Sequence, residues 1–287
     1  GEGVTLGPDT VVHVTRGGHN TQIGDGVVIG SHAIIHACNI GAGAVIGDGV
    51  VVMDDAVLGK DSLLLSGSVL PPGKKIPDGE VWGGNPARKK DMDVEAALRA
   101  GEEIRDRVKE SVSKLPAPVT RDNKTIISEK AFVAPNAVLA GPIAIAEEVG
   151  VWFACVLDAM LAPISIGART NVQDGTVVRG LEQYPCRIGA GVTIGHRAVL
   201  EGCIVEDDAF IGMGAVLPKG VVVRRGGWVA AGAVLPENTE VSTGEIWAGN
   251  PAALFRPIKA EEAAFIPVSA ANYAVHVPEY LGIFPRI

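Results

Sequence analysis

Ile-Gly pairs recur at Ile23-Gly24, Ile29-Gly30, Ile40-Gly41 and Ile46-Gly47. They return at Ile166-Gly167, Ile188-Gly189, Ile194-Gly195 and Ile211-Gly212. A six-residue step with one aliphatic side chain pointing inward describes very short parallel strands joined by tight corners. Three such steps close one triangular coil of 18 residues, and the aliphatics then stack in columns at about the 4.8 Å spacing of paired strands. A run of these steps in register predicts a left-handed parallel β-helix. Composition fits that architecture, with 37 glycines in 287 residues, 5% aromatics and 47% hydrophobic residues overall. A core of small and β-branched side chains with glycine at the corners is what this mixture can build.

A longer repeat lies above the short one. Glu80-Val81-Trp82-Gly83-Gly84-Asn85-Pro86-Ala87 returns as Glu245-Ile246-Trp247-Ala248-Gly249-Asn250-Pro251-Ala252, displaced by 165 residues. The same displacement carries Cys38 to Cys203 and Ile23 to Ile188. The expected fold class is therefore all-β with flanking helices, made of two left-handed parallel β-helices of hexapeptide repeats in tandem. Copy one spans 1–90, an amphipathic helix 91–115, a linker 116–122, copy two 123–257, and a C-terminal helix and tail 258–287. The 91–115 helix is read from Val94, Leu98, Ile104, Val108 and Val112 on one face, with Asp91 or Asp93 as its N-cap. Pro116 and Pro118 end it. A weaker helical signal begins near Lys259 and fades around His276. Copy two also has an opening run, 126–167, with no counterpart in copy one.

Several function classes drop out early. The formal net charge is −8, which argues against a nucleic-acid partner. Four scattered cysteines (Cys38, Cys155, Cys186, Cys203) include no CxxC pair, so no disulfide scaffold is expected and a reducing compartment is. The apolar stretch 150–167 contains Asp158 and Pro163, and no transmembrane span is expected. Residue 1 is Gly rather than Met, so this sequence cannot show whether a targeting segment was removed or left out.

Only six histidines are present, and two of them have a telling separation. His13 and His36 lie 23 residues apart, one 18-residue turn plus a five-residue loop within 15–21. That places the two on adjacent turns of one face. Two imidazoles there can share a Zn²⁺, though a third ligand and an open position are needed for catalysis. Spacing alone leaves this reading beside the plainer one of two solvated surface histidines.

Three ordered motifs narrow the family. Asn171-Val172-Gln173-Asp174-Gly175, then Val192-Thr193-Ile194-Gly195-His196, then Ala209-Phe210-Ile211-Gly212-Met213-Gly214-Ala215 resemble the γ-class carbonic anhydrases. The two Trp-containing corner motifs belong to the same resemblance. Ser269-Ala270-Ala271-Asn272-Tyr273 is similar to the tail of the mitochondrial γ-carbonic-anhydrase-like subunits of respiratory complex I. The resemblance covers nearly the whole chain apart from the 91–115 helix.

The resemblance implies trimers of left-handed β-helices with metal sites between subunits, each using two histidines from one subunit and one from its neighbour. Carried over residue by residue, the within-subunit pair falls on His13 and His36 in copy one, and the cross-interface position on Ser31, with His32 beside it. In copy two the pair falls on Arg179 and Glu201, while the cross-interface histidine is His196. If copy one's pair faces copy two's donor, His13, His36 and His196 rebuild a three-histidine metal site for one Zn²⁺ (or Fe²⁺ or Co²⁺) between the copies. The opposite arrangement brings Ser31 to Arg179 and Glu201, a degenerate site suited to an ion pair. Gln173 and Asp174 are the catalytic candidates near the metal, and copy one has Gly7 and Pro8 in their place. Asp158-Ala159-Met160 stands where the family has Arg-Gly-Asp.

The leading functional expectation is a structural γ-carbonic-anhydrase-like subunit with catalytic residues partly lost. It would complete a trimer with a related subunit and attach to complex I membrane-arm subunits, peripherally, on the matrix side of the mitochondrial inner membrane. The alternative is a zinc-dependent carbonic anhydrase with one site between the copies, and a lesser alternative is a hexapeptide acyltransferase.

Overall fold

Apart from the closing hairpin of the second unit, the described strands are two or three residues long because each side of the coil holds only that many before a corner. In the computed structural model, which describes all residues except 9, 15–19, 93–95, 97–98, 105, 107–124 and 285–287, they stack in parallel ladders. Val28, Val45, Leu63 and Val81 are successive rungs of one ladder. Ile34, Val51 and Val69 are rungs of a second, and Asn39, Val57 and Lys75 of a third. The next residue of each strand points inward, which gives columns such as Ile29–Ile46–Leu64 and Ile35–Val52–Leu70, all fully buried. Each such side chain contributes about 1.5–3 kcal/mol relative to exposure.

The described strands sort into six sheets, three drawn from residues 5–89 and three from 126–257. The chain divides into two compact units, Gly1–Ala117 and Pro118–Ile287. Left-handed β-solenoid with hexapeptide repeats makes up most of the described structure. The second unit has its own inward columns, among them Val151–Val172–Ile194–Ile211–Val229 and Leu157–Val178–Leu200–Leu217.

The glycine of the Ile-Gly pair answers to close packing between coils. A Cβ on Gly47 would sit 2.4 Å from the backbone nitrogen of Ser66, and one on Gly195 would sit 2.5 Å from that of Met213. The longer Trp-containing repeat forms the closing corner of each unit. Strand Arg88–Lys89 folds back antiparallel on Val81–Gly83, and Ala252–Pro257 does so on Glu245–Gly249. The Trp82 indole donates to Glu80 at 2.8 Å and the Trp247 indole to Glu245 at 3.0 Å. A reversed strand thus covers the last rung, where a bare edge would invite pairing with another chain.

Helical segments cover one outer face of each unit. In the first, the outward rungs Val28, Val45, Leu63 and Val81 pack with Ile104, from a helical stretch described at 96, 99–104 and 106. Val94, Leu98, Val108 and Val112, which define the sequence-based helix, and the linker 116–122 lie outside the described residues. In the second unit, α1 (Ala260–Ala274) and α2 (Val277–Ile283) follow the closing strand. Tyr280 of α2 sets its ring at a tilt 5.3 Å from Phe132 and edge-on 5.0 Å from Trp152. Among the described residues no helix is long and apolar enough to cross a membrane.

The start of α1 is pinned by charge. Arg256 donates to both oxygens of Glu262, at 2.7 and 2.6 Å, and the Lys259 backbone N–H donates to the same carboxylate at 2.9 Å. Arg256, foremost, holds the Glu262 carboxyl down from 4.5 to about 2. A depressed carboxylate contributes stability above its unfolded pKa and loses it as pH falls toward the folded value. The urea midpoint of the parent chain should therefore exceed that of Glu262→Gln above about pH 4.5, with the gap closing between 4.5 and 2. A gap that stayed constant over that interval would show the carboxylate charge to be irrelevant to the anchor.

Candidate metal centre

Strand Val11–His13 pairs in parallel with Ile34–His36, and the register sets His13 directly beside His36 at the last position of each strand. Both side chains are half-buried. Their rings stack with centroids 5.0 Å apart and planes at 15°. His13 Nδ1 lies 3.2 Å from His36 Nε2. Two nitrogens on a tetrahedral zinc with Zn–N of 2.0–2.1 Å are separated by about 3.3 Å. The pair already holds two donor atoms at that separation.

Asp54 completes this half of the arrangement. Its carboxylate takes a short hydrogen bond from His36 Nδ1. A proton held on Nδ1 leaves the lone pair on Nε2, the atom that faces His13, so the carboxylate selects the metal-binding tautomer. Asp54 was not singled out from the sequence, although the signal was there: it lies 18 residues, one full coil, beyond His36.

In the second unit, His196 occupies the corner after strand Thr193–Ile194 and is fully buried. Asp174 Oδ2 lies 3.1 Å from His196 Nδ1, while Asp174 Oδ1 accepts the Phe153 backbone N–H at 2.9 Å. Gln173 Oε1 accepts the His196 backbone N–H at 3.1 Å. Gln173 and Asp174 therefore both meet His196 within one unit. Asp174 thus stands at ion-pair distance from Nδ1 of the buried imidazole.

The degenerate positions carry different chemistry. Strand Val177–Arg179 pairs with Val199–Glu201 so that Arg179 faces Glu201 in the same terminal register that His13 and His36 hold. Arg179 donates to Glu201 at 2.9 Å, a partly exposed ion pair, and Asp158 is the rung before Arg179. The 165-residue displacement carries Asp54 to Lys219, which pairs with Glu237 at 3.2 Å. The carboxylate that supports the imidazole pair is thus missing where the pair itself is missing. Ser31, the counterpart of His196, donates its backbone N–H to Asp48 Oδ1 at 2.8 Å. One cation, one acid and one hydroxyl with no imidazole offer a zinc ion little. Arg179, Glu201 and Ser31 do not make a metal site.

Three comparisons bear on the lineage. The hexapeptide repeat of succinyl-transferase matches residues 185–219 and 202–236. "Gamma carbonic anhydrase 1, mitochondrial" of Arabidopsis thaliana is 46% identical over 159 residues, 53% of this chain and 58% of that protein. The chain spans less than two thirds of the length of the three Arabidopsis relatives of this kind that it matches. A probable carbonic anhydrase of Methanocaldococcus jannaschii is 40% identical over 148 residues, 52% of this chain and 93% of the archaeal protein. Among solved structures, a hexapeptide transferase family protein of Anaplasma phagocytophilum matches with a TM-score of 0.53 and 36% identity, covering 55% of this chain and 93% of that one. With repeat, closing corners and near-complete coverage of the archaeal relative in agreement, the chain belongs to the γ-class carbonic anhydrase family.

Proposed function

We propose that this chain carries one metal centre, ligated by His13, His36 and His196, and that its chemistry there is the hydration of CO₂. The observation that carries the reading is the complementarity of the two units. One holds an imidazole pair at ligand spacing with no cross-interface histidine, and the other holds a carboxylate-braced histidine with no pair. When bound, Zn²⁺ (or Fe²⁺ or Co²⁺) would acidify water for attack on CO₂. Asp54 sets the tautomer of His36, Asp174 stands beside Nδ1 of His196, and Gln173 braces the backbone at His196. Stripping the protein with a chelator and restoring Zn²⁺ or Co²⁺ should switch CO₂ hydration off and on in a stopped-flow assay. A metal-loaded chain with no hydration above the buffer rate would overturn the catalytic part.

A structural role accompanies that centre, and the Arg179–Glu201 ion pair favours it. With no metal chemistry left at those positions, the second unit's outer ladder serves assembly. We assign it to a trimer completed by a related γ-carbonic-anhydrase-like chain. The mitochondrial names of the Arabidopsis relatives support a mitochondrial home. Peripheral attachment to complex I membrane-arm subunits, on the matrix side of the inner membrane, is the placement we propose. Co-migration with complex I on native gels supports it, and migration of the chain wholly apart from complex I removes it.

A further inference from the structure

We infer that Ser269 on α1, acting through Thr193 and Asn171, is a positioning residue that fixes the side-chain amide of Gln173 beside His196. The inference deepens the reading of Gln173 as a site residue and rests on it. Four hydrogen bonds form one directed chain. The His196 backbone N–H can only donate, so the atom it meets at 3.1 Å must be the Gln173 carbonyl oxygen. Gln173 Nε2 must then donate, and it does so to Asn171 Oδ1 at 3.0 Å. Asn171 Nδ2 donates to Thr193 Oγ1 at 3.2 Å, and Thr193 donates to Ser269 Oγ at 3.2 Å. One backbone N–H thereby dictates both amide orientations and the rotor of the threonine hydroxyl.

The surroundings make this chain costly unless every member is satisfied. Gln173, Asn171, Thr193 and Ser269 are 5, 1, 1 and 8% exposed. Asn171 and Thr193 are rungs of a ladder that carries Phe132 and Gly150 on one side and Phe210 and Trp228 on the other. A buried polar network of this kind stabilises less than a packed apolar surface would, and its return is a single geometry.

The first unit supplies an internal control. The 165-residue displacement carries Thr193 back to Val28 and His196 back to Ser31. There the ladder Val28–Val45–Leu63–Val81 is apolar under Ile104, and Gly7 and Pro8 stand for Gln173 and Asp174. The hydroxyl at the Thr193 rung and the histidine are present together in one copy and absent together in the other, while Thr5 stands at the Asn171 rung beside Val28. A polar column needed only for helix packing would have no reason to follow the histidine.

The test uses the full chain without added metal, so that failure of the metal reading and failure of this one are separable. Thr193→Val keeps the shape and removes the hydroxyl, Ser269→Ala cuts the far end, and Thr193→Ser restores the hydroxyl. Expected are a shifted Gln173 side-chain amide resonance and about tenfold faster exchange of the His196 amide in Thr193→Val. Ser269→Ala should show the same changes to a lesser degree, and Thr193→Ser should return both toward the parent values. If Thr193→Val does not fold, Ser269→Ala decides alone. An unchanged Gln173 resonance in a folded hydroxyl-less variant, or equal changes in Thr193→Ser and Thr193→Val, would overturn the inference. If the parent chain binds no Zn²⁺ while these shifts appear, the relay stands and the metal reading falls.

Discussion

Replacing His36 with alanine should cost the chain its metal. The substitution removes one of the three proposed ligands and with it the imidazole whose Nδ1 Asp54 holds. Two imidazoles left over form an incomplete zinc site, since catalytic zinc centres use three protein ligands. Affinity should fall by at least about a thousandfold, or ~4 kcal/mol. Competition against a zinc-chelating dye measures this. Asp54→Asn leaves the three imidazoles in place and weakens only the support behind one of them, so its expected loss is about 10–100-fold. The order of the two effects matters more than either size. An Asp54→Asn variant that binds as poorly as His36→Ala would mean that the carboxylate is itself a ligand. A His36→Ala variant with unchanged affinity would move the centre elsewhere.

Replacing Gly195 with valine should cost at least about 3 kcal/mol of stability, at the upper end of overpacking effects. The added Cβ would lie 2.5 Å from the Met213 nitrogen and 2.9 Å from the Gly212 carbonyl carbon. Both are backbone atoms of the next coil, so no side chain can swing aside, and the rung spacing itself must open. Gly282→Ala is the control: nothing lies within 4 Å of its Cβ, and the residue sits in α2. Alanine there should be neutral or stabilising by up to about 1 kcal/mol, as glycine is a poor helix residue. Urea unfolding followed by tryptophan fluorescence reports on both, because Trp152, Trp228 and Trp247 all belong to the second unit. Equal midpoints for Gly195→Val and the parent would show that the coils can separate there freely.

The period of the solenoid was legible because inward aliphatic and corner glycine recur in a fixed step, and a one-dimensional pattern can carry a one-dimensional stack. The reason for the glycine was not, since Gly47 meets Ser66 only once the coil closes. The pairing of His13 with His36 followed from one coil plus a loop, and Arg179 with Glu201 from the family motif. Asp54 followed from the same arithmetic but carries no signature of its own among 33 acidic residues. Ser269 lay beyond reach for another reason. It meets Thr193 across 76 residues, and nothing in the helix sequence says which rung its hydroxyl will find.

The claim at the centre of the account is that one metal is held jointly by histidines of both copies. Elemental analysis of the purified chain, alongside His196→Ala, tests it most directly. The account predicts close to one equivalent of metal per chain, and close to none in His196→Ala although His13 and His36 are untouched. Two equivalents in the parent chain, or full retention in His196→Ala, would contradict it.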